Sequence, residues 1–339
     1  MLLLNLGLLR CLPDRTALTR QEKDADMTKD DTSPLRIGDI ATALALLTRL
    51  PVRARFERGA RAAWAYPLVG IVISGLAALP TWGLLALGLS PVFAALAFLA
   101  TTVILTGAMH EDGLADCADG FWGGWDRDRR LAIMKDSQIG SYGVIALCLS
   151  LATRWAAVVM ILSQGDAATQ PLVWALPLMV AAVVSRATMP ALMSALPHAR
   201  RSGLSHAQGR ASMTTSVIAS ALALGVAVGL LGVTGLFLGA MAFLAALACA
   251  KIAKAKIRGQ TGDVLGATQQ IGEVAMRELS RFAFEHQQTT GAPLRQGMSC
   301  DQGVGQLEEK IGNLHGSEVG TRKGRKSYPK HVDLTTPSD

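Results

Sequence analysis

Seven carboxylates crowd the stretch HEDGLADCADGFWGGWDRDRRLAIMKDSQIGSYG, residues His110 to Gly143: Glu111, Asp112, Asp116, Asp119, Asp126, Asp128 and Asp136. The stretch follows directly on an apolar run that ends at Met109. If that run continues as a helix, each residue advances about 100°. Asp112, Asp116 and Asp119 (i, i+4, i+7) then share one face, and Glu111 stands to the side. Three carboxylates so close repel one another and retain protons unless a cation neutralises them. Oxygen ligands without Cys or His partners suit magnesium, which keeps several waters and also binds phosphates. An ordinary solvated helix end would interleave its acids with Lys and Arg. Here they interleave with Gly113, Ala115, Ala118 and Gly120, which let a ligand or another backbone come close. His110, at the boundary, is a candidate proton acceptor or simply a polar edge residue.

Other residues invite a chemical reading. Lys135, Asp136 and Ser137 precede Gly140 and Gly143, and a Lys beside Ser at a helix start can grip phosphate. Arg154 and Arg186 sit inside apolar runs, where a charge is unfavourable by roughly 2.5–3.5 kcal/mol and so faces a cavity or a partner. Both are candidates to bind phosphate or to pair with the acidic cluster, and Arg186 can alternatively snorkel. Asp263, in GDVLGA ahead of Gln269, Gln270 and Glu273, reads as a turn that brings a further carboxylate. Trp122 and Trp125 read as interfacial anchors.

The elements that position these residues are membrane helices. Half of the 339 residues are hydrophobic and 17% are charged, below the ~25% charged of soluble domains. The apolar residues collect into runs that approach the ~20 residues a bilayer requires. They are 64–89, 91–109, 141–163, 172–196, 213–231 and 236–250, the last one short. The expected fold is an all-α, polytopic integral membrane protein of about six transmembrane helices. Ile37–Leu50 adds a short N-terminal interfacial or re-entrant helix. Basic residues fall in alternate connections: Arg49–Arg61, Arg127–Lys135, Arg200–Arg210 and Lys251–Arg258. The positive-inside tendency places those loops, and the acidic motif, on the cytoplasmic side.

The membrane-embedded domain is expected over 34–275. Residues 1–33 read as a disordered or non-native extension, with Met27 an alternative start. Residues 276–339 read as an amphipathic and disordered tail. Cys11, Cys117, Cys148, Cys249 and Cys300 are scattered, against a disulfide framework or zinc ribbon. Few aromatics interleave with the basic residues, so nucleic acid is not an expected partner; membrane lipid is. A transporter would place its acids at mid-span in paired broken helices, whereas here they concentrate at one edge.

At this point the chain resembles the cobalamin synthase (adenosylcobinamide-GDP ribazoletransferase) family. The resemblance rests on HEDGLADCADGFWGG…IMKDSQIGSYG, with LLTRLPV (Leu46–Val52), WAYPLVG (Trp64–Gly70), TRW (Thr153–Trp155), SRA (Ser185–Ala187) and GDVLGATQQ (Gly262–Gln270) in order. It implies a magnesium-dependent enzyme of the bacterial inner membrane. Such an enzyme joins adenosylcobinamide-GDP to α-ribazole, or to its 5′-phosphate, and releases GMP. Other enzymes of nucleotide-loop assembly are the partners it implies. Asp112, Asp116 and Asp119 would hold metal on the diphosphate with Glu111 assisting, and one of these or His110 would take the hydroxyl proton. Lys135, Arg154 and Arg186 would neutralise phosphate. DCADG also matches the opening DxxDG of CDP-alcohol phosphotransferases, whose remaining motif does not follow. After GDVLGATQQ the chain departs from the family, because Arg277, Glu278, Arg281 and Glu285 interrupt the apolar helix expected there.

Overall fold

Leucine, alanine and valine runs form the helices, and turn chemistry punctuates them. A computed structural model describes Ser33, residues 35–164 and residues 166–275. The expectations for the N-terminal extension and the C-terminal tail therefore lie outside the described residues, Ser33 apart. In chain order the helices are α1 (Gly38–Leu47), a 3-10 helix (Gly59–Ala65) running into α2 (Tyr66–Ala86), α3 (Pro91–Thr106) and α4 (Met109–Gly123). Then come α5 (Arg127–Ile133), α6 (Ser141–Leu162), α7 (Pro171–Ala195), α8 (Leu204–Gln208), α9 (Met213–Leu231) and α10 (Val233–Ile257). A last helix, α11, spans 262–275. Among the described residues there is no strand, only an isolated bridge between His198 and Gln260. Prolines at the first turn open α3 and α7, where a missing N–H costs nothing. The Ser212 hydroxyl accepts from the Thr215 amide to open α9, and Gly232, at φ +57°, ends it.

Among the described residues five helices are long and apolar enough to cross a membrane, or six if α3 and α4 form one broken span. The chain is a multi-pass membrane protein. The short last run is in fact the 25-residue helix α10. Lys251, Lys254 and Lys256 belong to its final turns and not to a loop, since long lysine stems extend a span toward the interface.

Helix α7 is the centre, 72% buried over its most apolar window against 22–39% for the other spans. It packs on α2, α9 and α10, while α3 and α4 pack on α6. Small residues set these approaches, since apolar association gains little inside lipid. A Cβ on Gly70 would run into the Ala182 and Val183 backbone, so α2 and α7 touch main chain to main chain. Leu79, Ile104, Leu149 and Phe243 stay exposed, as a lipid-facing surface requires. The short helix α1 is fixed by buried Asp39, which pairs with Arg58 at 2.8 Å and accepts from the Trp64 indole at 2.7 Å.

This packing makes a controlled prediction. Gly70→Ala should destabilise the protein in detergent by about 1–3 kcal/mol, because the backbone beside it must move. Gly75→Ala, with nothing within 4 Å, should be neutral or gain up to about 1 kcal/mol of helix propensity. Equilibrium unfolding of both variants checks the contrast.

Candidate active site

The acidic motif occupies its own helix. Between α3 and α4 the chain turns by 86°, with Gly107 at φ +63° and Ala108 at φ +58°. The expected straight continuation of the second span past Met109 is therefore corrected. Glycine adopts this left-handed backbone freely, but alanine does so at a cost, and the surroundings hold it there. The Arg49 amide donates to Leu105 O at 2.7 Å, and the Arg49 side chain lies where a Cβ of Gly107 would stand. The LLTRLPV segment thus clamps the break. Asp112, Asp116 and Asp119 keep their spacing because all three lie within α4.

Glu111 points inward, away from any open surface. Arg154 of α6, 1% exposed, donates to Glu111 Oε1 and to Gln270 Oε1, both at 2.8 Å, and pairs with Glu273 at 3.5 Å. Gln270 also donates to Glu111 at 3.2 Å, and Gln269 donates to Glu273 and to Ser185. Four helices, α4, α6, α7 and α11, meet in this web. Arg186 of α7 is buried beside it and donates to Ala182 O at 2.9 Å; it does not snorkel. His110, Glu111, Arg154 and Arg186 line one small cavity with Gln270 and Glu273. Into the same region fall buried atoms without a partner among the described residues, His110 Nε2, Glu111 Oε2, Arg154 Nε and Arg186 Nε. Of the two tasks expected for Arg154, pairing with the acidic motif is the one the structure displays. Its burial leaves no open path to a phosphate, and Glu111, which was expected to assist catalysis, is engaged as its counter-ion.

A second, larger pocket of about 250 Å³ opens beside the first turn of α4. Its polar wall holds Asp112, Asp263, Arg200 and the edge of His110. Its other wall is made of Leu46, Leu47, Tyr66, Met189, Met193 and Leu265. Glycines bring its two acidic elements together. A Cβ on Gly113 would stand 2.7 Å from Asp263 O, and one on Gly266 would stand 3.2 Å from the His110 Cα. The expected turn at Gly262–Gly266 is corrected: it is the first turn of α11, docked on α4. Arg200 pairs with Asp263 at 3.1 Å, and the Thr261 hydroxyl donates to the same oxygen at 3.1 Å. Burial raises the Asp263 carboxyl above the ordinary range, and Arg200 opposes it. The Arg200 Nη1 is buried without a partner among the described residues, which leaves a donor for an incoming anion. Asp263 and Asp112 are the carboxylates whose charges act most strongly on half-buried Asp116.

Asp119, one of the three acids expected to hold metal, is engaged by the backbone of another helix. Its carboxylate accepts from the Gly140 amide at 2.7 Å and from the Gly143 amide at 2.9 Å. It thereby caps α6 from a distance of 24 residues in the chain. A Cβ on either glycine would strike that carboxylate, which explains both glycines. The Gly140 and Gly143 amides at this helix start are thereby occupied. Lys135, Asp136 and Ser137 are exposed and line none of these cavities; the Asp136 side chain closes a turn on the Gln138 amide at 3.2 Å. Among the described residues no three His, Cys, Asp or Glu side chains converge as a ready-made metal site.

Three basic connections meet beside the pocket. Arg127 donates to Ile257 O at 3.1 Å and to Ala199 O, Arg130 to Lys256 O at 3.1 Å, and Lys256 to Phe121 O at 3.1 Å. Cationic side chains satisfy the orphan carbonyls that end α10. Three of the four basic connections, around Arg127, Arg200 and Lys256, thus lie together. Trp122 and Trp125 are exposed there, as membrane-edge anchors are.

A helical membrane bundle whose pocket sets carboxylates and an arginine against an apolar wall is that of a membrane-embedded transferase. The chain belongs to the cobalamin-5-phosphate synthase family, whose model matches residues 39–278. It is 42% identical over 252 residues to an adenosylcobinamide-GDP ribazoletransferase of Bradyrhizobium diazoefficiens, covering 71% of this chain and 92% of that protein. A Mesorhizobium japonicum protein of the same name is 41% identical over 258 residues, covering 74% and 96%. No solved structure matches the chain. The sequence assigned no site role to Arg200, noted only as a basic loop residue, to Tyr66, noted only within WAYPLVG, or to Met189 and Met193. It noted Gln270 and Glu273 without a role, although a Gln-Gln pair followed by Glu in an apolar helix was itself a signal of a buried partner.

Two substitutions separate the tasks of the acid helix. Gly113→Ala should lower turnover at least tenfold, because small misplacements at a reacting centre cost on the order of 100-fold. Gly123→Ala, whose nearest neighbour lies at 3.8 Å, should not. Asp119→Asn should lower unfolding stability by about 0.5–2 kcal/mol, as loss of a cap does.

Proposed function

We propose that this chain transfers the phosphorylated corrinoid of adenosylcobinamide-GDP to α-ribazole, or to its 5′-phosphate. The products are adenosylcobalamin, or its 5′-phosphate, and GMP. The observation that carries the reading is the half-apolar pocket with Asp112, Asp263 and Arg200 on its polar wall, in a chain of this family. A ribose hydroxyl attacks the phosphorus on the corrinoid side of the diphosphate. The new P–O bond forms as the bond to GMP breaks.

Asp112, Asp116 and Asp263 are the oxygen donors that would hold Mg²⁺. They are mutually repelling carboxylates, and magnesium is commonly held by one or two protein carboxylates together with substrate phosphates. The ion supplies neutralisation of diphosphate charge. Arg200 places its free Nη1 on a phosphate oxygen, and Asp112 or His110 receives the hydroxyl proton. Close packing of α11 on α4 holds these groups in line, which is where an otherwise uncatalysed displacement gains rate. Glu111, Arg154, Arg186 and Asp119 position the helices that carry them. This reading gives Lys135, Asp136 and Ser137 no part in the reaction.

The membrane is the bacterial inner membrane, and the basic face with its pocket is cytoplasmic, since Lys and Arg concentrate in cytoplasmic loops. Enzymes that make the two substrates there are its natural neighbours.

Purified protein in detergent, given adenosylcobinamide-GDP, α-ribazole and Mg²⁺, should form cobamide and GMP in equal amounts. Asp112→Asn and Asp116→Asn should each lower the rate about 100-fold or more with the fold retained. An inactive wild-type protein, well folded, would reject the assignment.

A further inference from the structure

The pocket is divided, and the division says which substrate enters it and how. Leu47, Tyr66, Met189, Met193 and Leu265 belong to one continuous apolar cluster, with Leu46 and Met109 packed against it. Asp112, Asp263 and Arg200 stand on the other side, tied by the Arg200–Asp263 pair. A volume of about 250 Å³ lies just under the range of small-molecule sites. It admits a nucleoside-sized group and is too small for a corrinoid. A nucleoside has the matching division, with a flat apolar base at one end and hydroxyls at the other.

We infer that the wall formed by Leu46, Leu47, Tyr66, Met189, Met193 and Leu265 seats the base of the acceptor nucleoside, recognising it by apolar contact and shape. The inference rests on the transferase reading above. None of these six side chains but the tyrosine carries a hydrogen-bonding group, so the edge of a base is not read by donors and acceptors there. Two methionines make the wall adaptable, and thioethers pack well on aromatic rings; Tyr66 adds an aromatic surface. Seated so, the ribose lies toward Asp112 and Asp263, where its hydroxyl must lose a proton. The Gln208 Oε1, which lines the same pocket and is buried without a partner among the described residues, offers the sugar an acceptor. The corrinoid donor then approaches from the open side and presents its diphosphate to Arg200.

The test uses the full-length protein in detergent, with Met193→Phe, Leu204→Trp and, as a control outside the pocket, Gly75→Ala. Leu204 lines the pocket but is 52% exposed, so its replacement narrows the pocket without entering the core. Binding of labelled α-ribazole alone, by equilibrium dialysis, is read beside both KM values. Met193→Phe and Leu204→Trp should each raise the Kd and KM for α-ribazole at least tenfold and leave the KM for adenosylcobinamide-GDP within twofold. Gly75→Ala, at a residue that lines neither cavity and has nothing within 4 Å, should stay close to wild type. With wild-type protein, a nucleoside whose benzimidazole lacks the two methyl groups should be used at least tenfold less well, the scale on which apolar pockets sense missing methyl groups. A rise in the donor KM instead, or no change in either constant in a folded variant, would overturn the base site. In that outcome an active wild type would leave the transferase assignment standing. A wild type that turns over neither substrate would reject the assignment itself.

Discussion

A guanidinium buried among apolar helices must be paired, and in this molecule that requirement organises the site. Arg154 is almost wholly inaccessible and reaches Glu111 on α4, and Gln270 and Glu273 on α11. Leaving any one of those charges alone would cost several kcal/mol, so the helices are held where the charges meet. The Glu111 next to Asp112 is thus fixed from inside, and Asp112 projects on the outer side of the same turn into the pocket. The polarity of the interior serves to aim the exterior.

Close backbone approach completes the arrangement. Gly113 and Gly266 let α4 and α11 touch, which brings Asp263 beside the acid helix. Gly140 and Gly143 let the Asp119 carboxylate reach the amides of α6. Gly113, Gly140 and Gly143 answer a steric demand made by an acidic residue elsewhere, and Gly266 one made by the His110 backbone. A motif rich in Asp and Gly is therefore as much a packing code as a chemical one. That division of labour explains why, of four grouped acids, only Asp112 lines the pocket.

Much of this was legible in the sequence and some was not, for physical reasons. Apolar runs of span length gave the helices, because bilayer thickness sets their length, and i, i+4, i+7 spacing gave one acidic face. The interleaved small residues correctly announced a close approach, and the approaching group proved to be another backbone. The 86° break was not readable, because Gly107 precedes an Ala that only tertiary contacts hold in a left-handed conformation. The last span read short because its lysines look like loop residues when judged by charge alone. The task of Asp119 was hidden, since a capping carboxylate and a metal-binding one are the same residue type and differ only in what lies across from them. Arg200 was invisible as a site residue for the same reason. It is one charge among several in a basic loop until the fold sets it against Asp263.

The account stands most directly on the coupling between Arg154 and Glu111. A double-mutant cycle of Arg154→Met and Glu111→Gln, read by equilibrium unfolding in mixed micelles, measures it. A coupling energy of about 2 kcal/mol, within the range for residues sharing one network, is the predicted result, with turnover lost in the Arg154 single variant. A coupling indistinguishable from zero, with a folded and active Arg154→Met protein, would contradict the claim that this buried pair holds the acid helix in place.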